Sequence, residues 1–145
     1  MPEILLAEDN PADVYLIREA LREHGVDCPL IVAADGQHVL RILAGDEAGQ
    51  SAEDAGLIIL DLNLPRHDGI EILQSLRNTT KLRDIPVVVL TSSDSPRDRL
   101  AAHELGVTCF LRKPSNLEQF LSLGKVFKDL LEGGRANATH CGDNS

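Results

Sequence analysis

A chain of 145 residues with 43% hydrophobic side chains is long enough to bury the core of one domain, which argues against a chain disordered as a whole. Aromatic residues are only 3% and the formal net charge is −9, so the chain offers neither stacking platforms for bases nor a basic stripe for nucleic acid. No apolar run approaches membrane-spanning length, no signal peptide is expected at the start, and three unevenly spaced cysteines fit a reducing cytoplasm.

Along the chain, short aliphatic runs alternate with segments of helical period, the pattern of βαβ units and a parallel sheet. Strands are predicted at Glu3–Ala7, Pro29–Ala33, Leu57–Leu60, Pro86–Leu90 and Thr108–Leu111. Continuous runs such as Val87-Val88-Val89-Leu90 suit central strands covered on both faces. The first helix opens at Asn10-Pro11, a cap followed by the proline favoured at the first helical position; Val14, Ile17 and Leu21 face inward and Gly25 ends it. A second helix spans Gln37–Leu43, and the acidic, small-residue stretch Ala44–Gly56 reads as a helix end plus a surface loop without chemistry. The third helix begins near Asp68-Gly69 with Ile70, Leu73 and Leu76 inward. The fourth runs from Pro96 to Leu105 and stops at Gly106, and the fifth runs from Asn116 to Leu131 before Gly133-Gly134. Residues 1–132 therefore read as one three-layer, doubly wound α/β domain, and residues 133–145 as a disordered polar tail.

The polar residues gather where such sheets bind ligands, at the C-terminal ends of the strands. Glu8-Asp9 follow the first strand, Asp61 the third, Thr91-Ser92-Ser93 close the fourth, and Lys113-Pro114 follow the fifth. Each has an ordinary reading: Asp9 and Asn10 as a helix cap, Asp61 in Asp-x-Asn-x-Pro as a turn residue, Thr91 in a polar loop, Lys113 as a solvated lysine. Together, three acids, a hydroxyl and an amine describe a metal-assisted phosphoryl site. The carboxylates need a cation, for which Mg²⁺ is the natural oxygen-seeking ion. Asp61 can attack phosphorus, while Lys113, Thr91 and the Ser92 backbone N–H meet the phosphoryl oxygens. A cis Lys113–Pro114 bond would aim the amine back over the site.

The set Glu8-Asp9, Asp61, Thr91 and Lys113-Pro114 resembles the receiver domain of two-component response regulators, over about Glu3 to Leu131. The resemblance implies a flavodoxin-like five-stranded sheet of order 2-1-3-4-5. It further implies that Asp61 accepts a phosphoryl group from the phosphohistidine of a sensor kinase. Asp9, Asp61 and the Asn63 backbone carbonyl would then ligate Mg²⁺, and Glu8 would hold a metal-bound water. Phe110 stands at the switch-aromatic position, where the ring turns inward as Thr91 moves toward the phosphoryl group; its ordinary reading is a buried strand residue.

The phrases Glu8-Asp9-Asn10-Pro11-Ala12-Asp13, Leu60-Asp61-Leu62-Asn63-Leu64-Pro65 and Leu90-Thr91-Ser92-Ser93 are similar to the small response regulators associated with phytochrome kinases. That similarity implies a bacterial phytochrome histidine kinase as partner, and a homodimer. The fifth helix carries two apolar stripes, Leu117-Leu121-Gly124-Leu131 and Phe120-Leu123-Phe127-Leu130. Since one stripe suffices to dock on a sheet, the second is expected at a dimer interface, with Phe120, Leu123, Phe127 and Leu130 as its candidates. Other functions fit less well. A haloacid-dehalogenase-like phosphatase wants an acid two residues after the nucleophile, where this chain has Asn63. A flavodoxin-like cofactor carrier needs a neutral phosphate cradle where Glu8-Asp9 stand. A pseudo-receiver scaffold would not need the full set of reactive groups.

Overall fold

The computed structural model describes residues 2–46, 54–65, 68–79, 82–93 and 95–133. Strands and helices alternate without exception: β1 (Glu3–Ala7), α1 (Pro11–Glu23), β2 (Leu30–Ala33), α2 (Gly36–Ala44), β3 (Ala55–Leu60), α3 (Gly69–Asn78), β4 (Val87–Thr91), α4 (Pro96–Glu104), β5 (Cys109–Arg112) and α5 (Leu117–Gly133). All pairings are parallel, and the sheet order is β2-β1-β3-β4-β5. The order reverses at β1 and β3, which opens a crevice at their C-terminal ends for a ligand.

Strand residues alternate between two cores, as a period of two requires. Leu5, Ala7, Ile58, Leu60, Val87, Val89 and Phe110 pack under α2, α3 and α4. Ile4, Leu6, Leu57, Ile59, Val88, Leu90 and Leu111 pack under α1 and α5. Helix starts are fixed locally. Asn10 Oδ1 accepts from the Ala12 N–H at 2.9 Å with Pro11 behind it, and Asp68 Oδ1 accepts from the Ile70 N–H at 2.9 Å. Gly25 (φ 74°) and Gly106 (φ 74°) follow α1 and α4 in the left-handed region, which stops both helices where expected.

Two expectations about α5 change. Phe120, Leu123, Phe127 and Leu130 are 3%, 7%, 0% and 1% exposed and belong to the core of this single chain, so they do not form a dimer surface. The reason is that α5 docks on two partners, not one. Its phenylalanine stripe covers the sheet, while Gly124 lies against α1 so closely that a β-carbon would sit 2.2 Å from the Ala20 carbonyl oxygen. The helix also runs on through Gly133, two residues past the expected stop. The expected tail lies, from residue 134 onward, outside the described residues, as does most of the acidic loop at residues 47–53. No described helix is long and apolar enough to cross a membrane.

Candidate functional site

The strand-end residues singled out by sequence, which follow β1, β3, β4 and β5, lie together on one edge of the sheet. Asp61 follows β3 and is 4% exposed; its backbone N–H donates to the Ala7 carbonyl at 3.0 Å, which ties it to the end of β1. Glu8, directly after β1, is 2% exposed. Its Oε2 accepts from the backbone N–H groups of Asp9 (3.0 Å) and Asn10 (3.3 Å). Asp9 itself is exposed. Carboxylate oxygens of Glu8, Asp9 and Asp61 all lie within 4.8 Å of one another, a grouping that fits a hard divalent cation taking oxygen ligands.

The Lys113 ammonium sits among these acids. It lies 2.6 Å from Glu8 Oε1 and donates to Asp13 Oδ2 at 2.7 Å and Asp61 Oδ2 at 2.8 Å. Burial works against this ammonium, but the hydrogen bonds to Asp13, Asp61 and Glu8 outweigh it and hold its pKa above the ordinary lysine value. Glu8 is pushed up from 4.5 to about 7. Burial is the main cause; the Lys113 hydrogen bond opposes it, and the Asp61 charge adds to it. One ammonium thus pairs with three acids, Glu8, Asp13 and Asp61, while Asp9 adds a fourth carboxylate beside Glu8 and Asp61, and this crowding of acids is a second reason why a cation suits the site.

The expected cis bond at Lys113–Pro114 is not formed, because no peptide bond among the described residues is cis. No reversal is needed to bring the amine in. The Lys113 N–H donates to the Thr91 carbonyl at 2.8 Å, so the β4–β5 ladder already carries the lysine to the sheet edge. Thr91 is fully buried, and its Oγ1 accepts from the Asn63 side-chain amide (3.3 Å) and the Ser93 backbone N–H (3.1 Å). Ser92 is exposed beside it. Phe110 is 1% exposed; the Arg99 guanidinium lies 4.8 Å from its ring centroid and the His103 ring 6.3 Å away.

Two functional contacts escaped sequence reading. Asp13 stands in the first turn of α1, where side chains tilt toward the helix N-terminus and hence toward the strand ends; an acid at that place was the available signal. The resemblance assigns Asn63 only a backbone carbonyl, yet its side-chain amide reaches Thr91.

A family model for the response regulator receiver domain matches residues 4–123. The chain belongs to that family. Response regulator Rcp1 of Synechocystis sp. (strain ATCC 27184 / PCC 6803 / Kazusa) is 39% identical over 120 residues, 83% of this chain and 82% of Rcp1. Among solved structures, the phosphorylated cyanobacterial phytochrome response regulator RcpA superposes with a TM-score of 0.82 at 35% identity, covering 91% of this chain and 94% of RcpA. The Mn²⁺-bound form of Rcp1 superposes at 0.80 with 36% identity, covering 92% and 96%. This receiver is therefore a signalling domain related to phytochrome response regulators, with an acidic cluster where a divalent cation fits.

Proposed function

We propose that this receiver takes a phosphoryl group on Asp61 from the phosphohistidine of a sensor histidine kinase, and that the kinase is a bacterial phytochrome. The observation that carries the reading is the position of Asp61. It is buried at the switch point of the sheet, with an amine on one oxygen and two further acids beside it. The kinase follows from the phytochrome relatives.

In this reading an Asp61 oxygen bonds to phosphorus as the phosphorus–nitrogen bond of the phosphohistidine breaks, and the imidazole leaves with the electron pair. Asn63 N–H donates to Asp61 Oδ1 at 2.9 Å and orients the carboxylate. The Lys113 amine, already on Oδ2, passes to a phosphoryl oxygen. Asp9 and Asp61, with the Asn63 carbonyl and with Glu8 through a water, would hold Mg²⁺. Bound there, the ion neutralises charge on the phosphoryl oxygens. Thr91 leaves Asn63 and Ser93 for the phosphoryl group, assisted by the Ser92 N–H, beside a Phe110 ring that is already buried under α4 and needs no inward turn.

Output then passes by protein contact through α4, β5 and α5. Leu100 on α4 and Leu117 on α5 are 62% and 60% exposed, and a homodimer of the kind expected from sequence would use these and not the buried α5 stripe. Incubation with acetyl phosphate and Mg²⁺ should add one phosphoryl group to the wild type and none to Asp61→Asn by intact mass. A wild type that stays unmodified with both acetyl phosphate and a phosphorylated histidine kinase would favour a scaffold instead.

A further inference from the structure

The Lys113 ammonium has three N–H donors and three carboxylate acceptors, Glu8 at 2.6 Å, Asp13 at 2.7 Å and Asp61 at 2.8 Å. The three acceptors are not equivalent. Glu8 and Asp61 belong to the group whose oxygens can share a cation, and Asp61 must also present an oxygen to phosphorus. Asp13 stands outside that group. It sits on the first turn of α1, whose start is fixed by the Asn10 cap and Pro11, so its carboxylate comes from a rigid element. The Asp13 and Lys113 side chains are 17% and 12% exposed, and a pair so shielded is not weakened as a surface pair is.

We propose that Asp13 is a positioning residue for phosphoryl transfer: it anchors the Lys113 amine over Asp61 while Glu8 and Asp61 are engaged elsewhere. The proposal rests on the phosphoacceptor reading of Asp61. Without the anchor, the amine keeps no acceptor of its own once a cation draws on Glu8 and Asp61, and it spends less time where the phosphoryl oxygens arrive. An ammonium–carboxylate hydrogen bond of this kind makes a loss of roughly tenfold in phosphorylation rate the expected scale for Asp13→Asn.

The test uses Asp13→Asn and Asp13→Glu, each in the wild-type and Lys113→Ala backgrounds, with acetyl phosphate and saturating Mg²⁺. Asp13→Asn should slow aspartyl phosphate formation about tenfold, and Asp13→Glu should restore most of it. In the Lys113→Ala background, Asp13→Asn should change the rate less than about twofold, because the residue acts through the amine. The Lys113 ammonium resonance, protected in the wild type, should broaden into solvent exchange in a folded Asp13→Asn protein. An Asp13→Asn variant with the wild-type rate and an intact Lys113 resonance overturns the proposal, as does an equal loss in both backgrounds. If the wild type itself takes no phosphoryl group, the phosphoacceptor reading and the catalytic role both fall, while the Lys113 resonance still shows whether Asp13 holds the amine.

Discussion

The Asn63 side-chain amide donates to the Thr91 hydroxyl at 3.3 Å, joining the loop after β3 to the end of β4. The same Asn63 gives its backbone N–H to Asp61 at 2.9 Å. One residue therefore touches both the carboxylate read as phosphoacceptor and the hydroxyl read as its switch partner. Removal of the amide should release Thr91 at little cost, since a neutral hydrogen bond is worth about 1 kcal/mol or less when long and partly solvated. Asn63→Ala is expected to keep the urea midpoint nearly unchanged while shifting the Thr91 methyl resonance in the unphosphorylated protein. An unmoved Thr91 resonance would mean that Ser93 alone holds the hydroxyl.

Glu8 makes the metal-free protein sensitive to pH. Its pKa is about 7 when folded against 4.5 as the reference, so between those values the folded chain binds more protons than the unfolded one. This contribution favours folding as pH falls from 7 toward 4.5 and works against folding above 7. Glu8→Gln mimics the protonated form and should stabilise the metal-free protein at pH 8, on the order of 2 kcal/mol, with little difference at pH 5. Denaturation midpoints in chelator at the two pH values check this. Because the cation and the proton compete for the same cluster, Mg²⁺ titrations should also show weaker binding at pH 6 than at pH 8.

Gly124 sets the distance between α5 and α1. A methyl group there would press on the Ala20 carbonyl and on His24, whose Nδ1 is itself 3.0 Å from that carbonyl. Ala20 lies in the last turn of α1 and His24 caps that helix, so relief requires the helices to separate. Gly124→Ala gains helix propensity but should still lose about 1–3 kcal/mol by overpacking, measured by chemical denaturation. A variant as stable as wild type would show that α1 yields freely.

Arg77 of α3 fastens the far end of α4. Its guanidinium donates to the carbonyls of Leu105 (2.8 Å), Gly106 (2.9 Å) and Arg83 (2.8 Å). Helix α4 buries only Ala102 deeply, so these bonds matter more there than they would under a strongly apolar helix. Arg77→Met should destabilise the domain by about 2 kcal/mol, as loss of charged hydrogen bonds to carbonyls does. Faster amide exchange should concentrate at Leu105–Val107; a uniform increase would instead indicate general loosening.

Much of the fold was legible because its causes are local. The Asn10-Pro11 start, the Gly25 and Gly106 stops and the apolar strand runs are short-range chemistry, and the structure bears them out. Helix α2 starts at Gly36, one residue before the expected Gln37, because Asp35 caps it by accepting from the His38 N–H at 2.8 Å. The Phe120, Leu123, Phe127 and Leu130 stripe lies in the core and not at an interface for a different reason. Periodicity shows that a helix has two apolar faces, but whether the second meets another helix of the same chain or another molecule is decided by packing.

By itself the sequence determined the alternation of elements and the residue types at each strand end, and through them the receiver family and the candidate set Glu8, Asp9, Asp61, Thr91 and Lys113. Tertiary structure alone decided which acids the lysine meets. Asp13 and Lys113 are separated by 100 positions, and Asp61 and Lys113 by 52. No local rule encodes such pairings, because they arise when α1, β3 and β5 are brought to one edge by the order of the sheet.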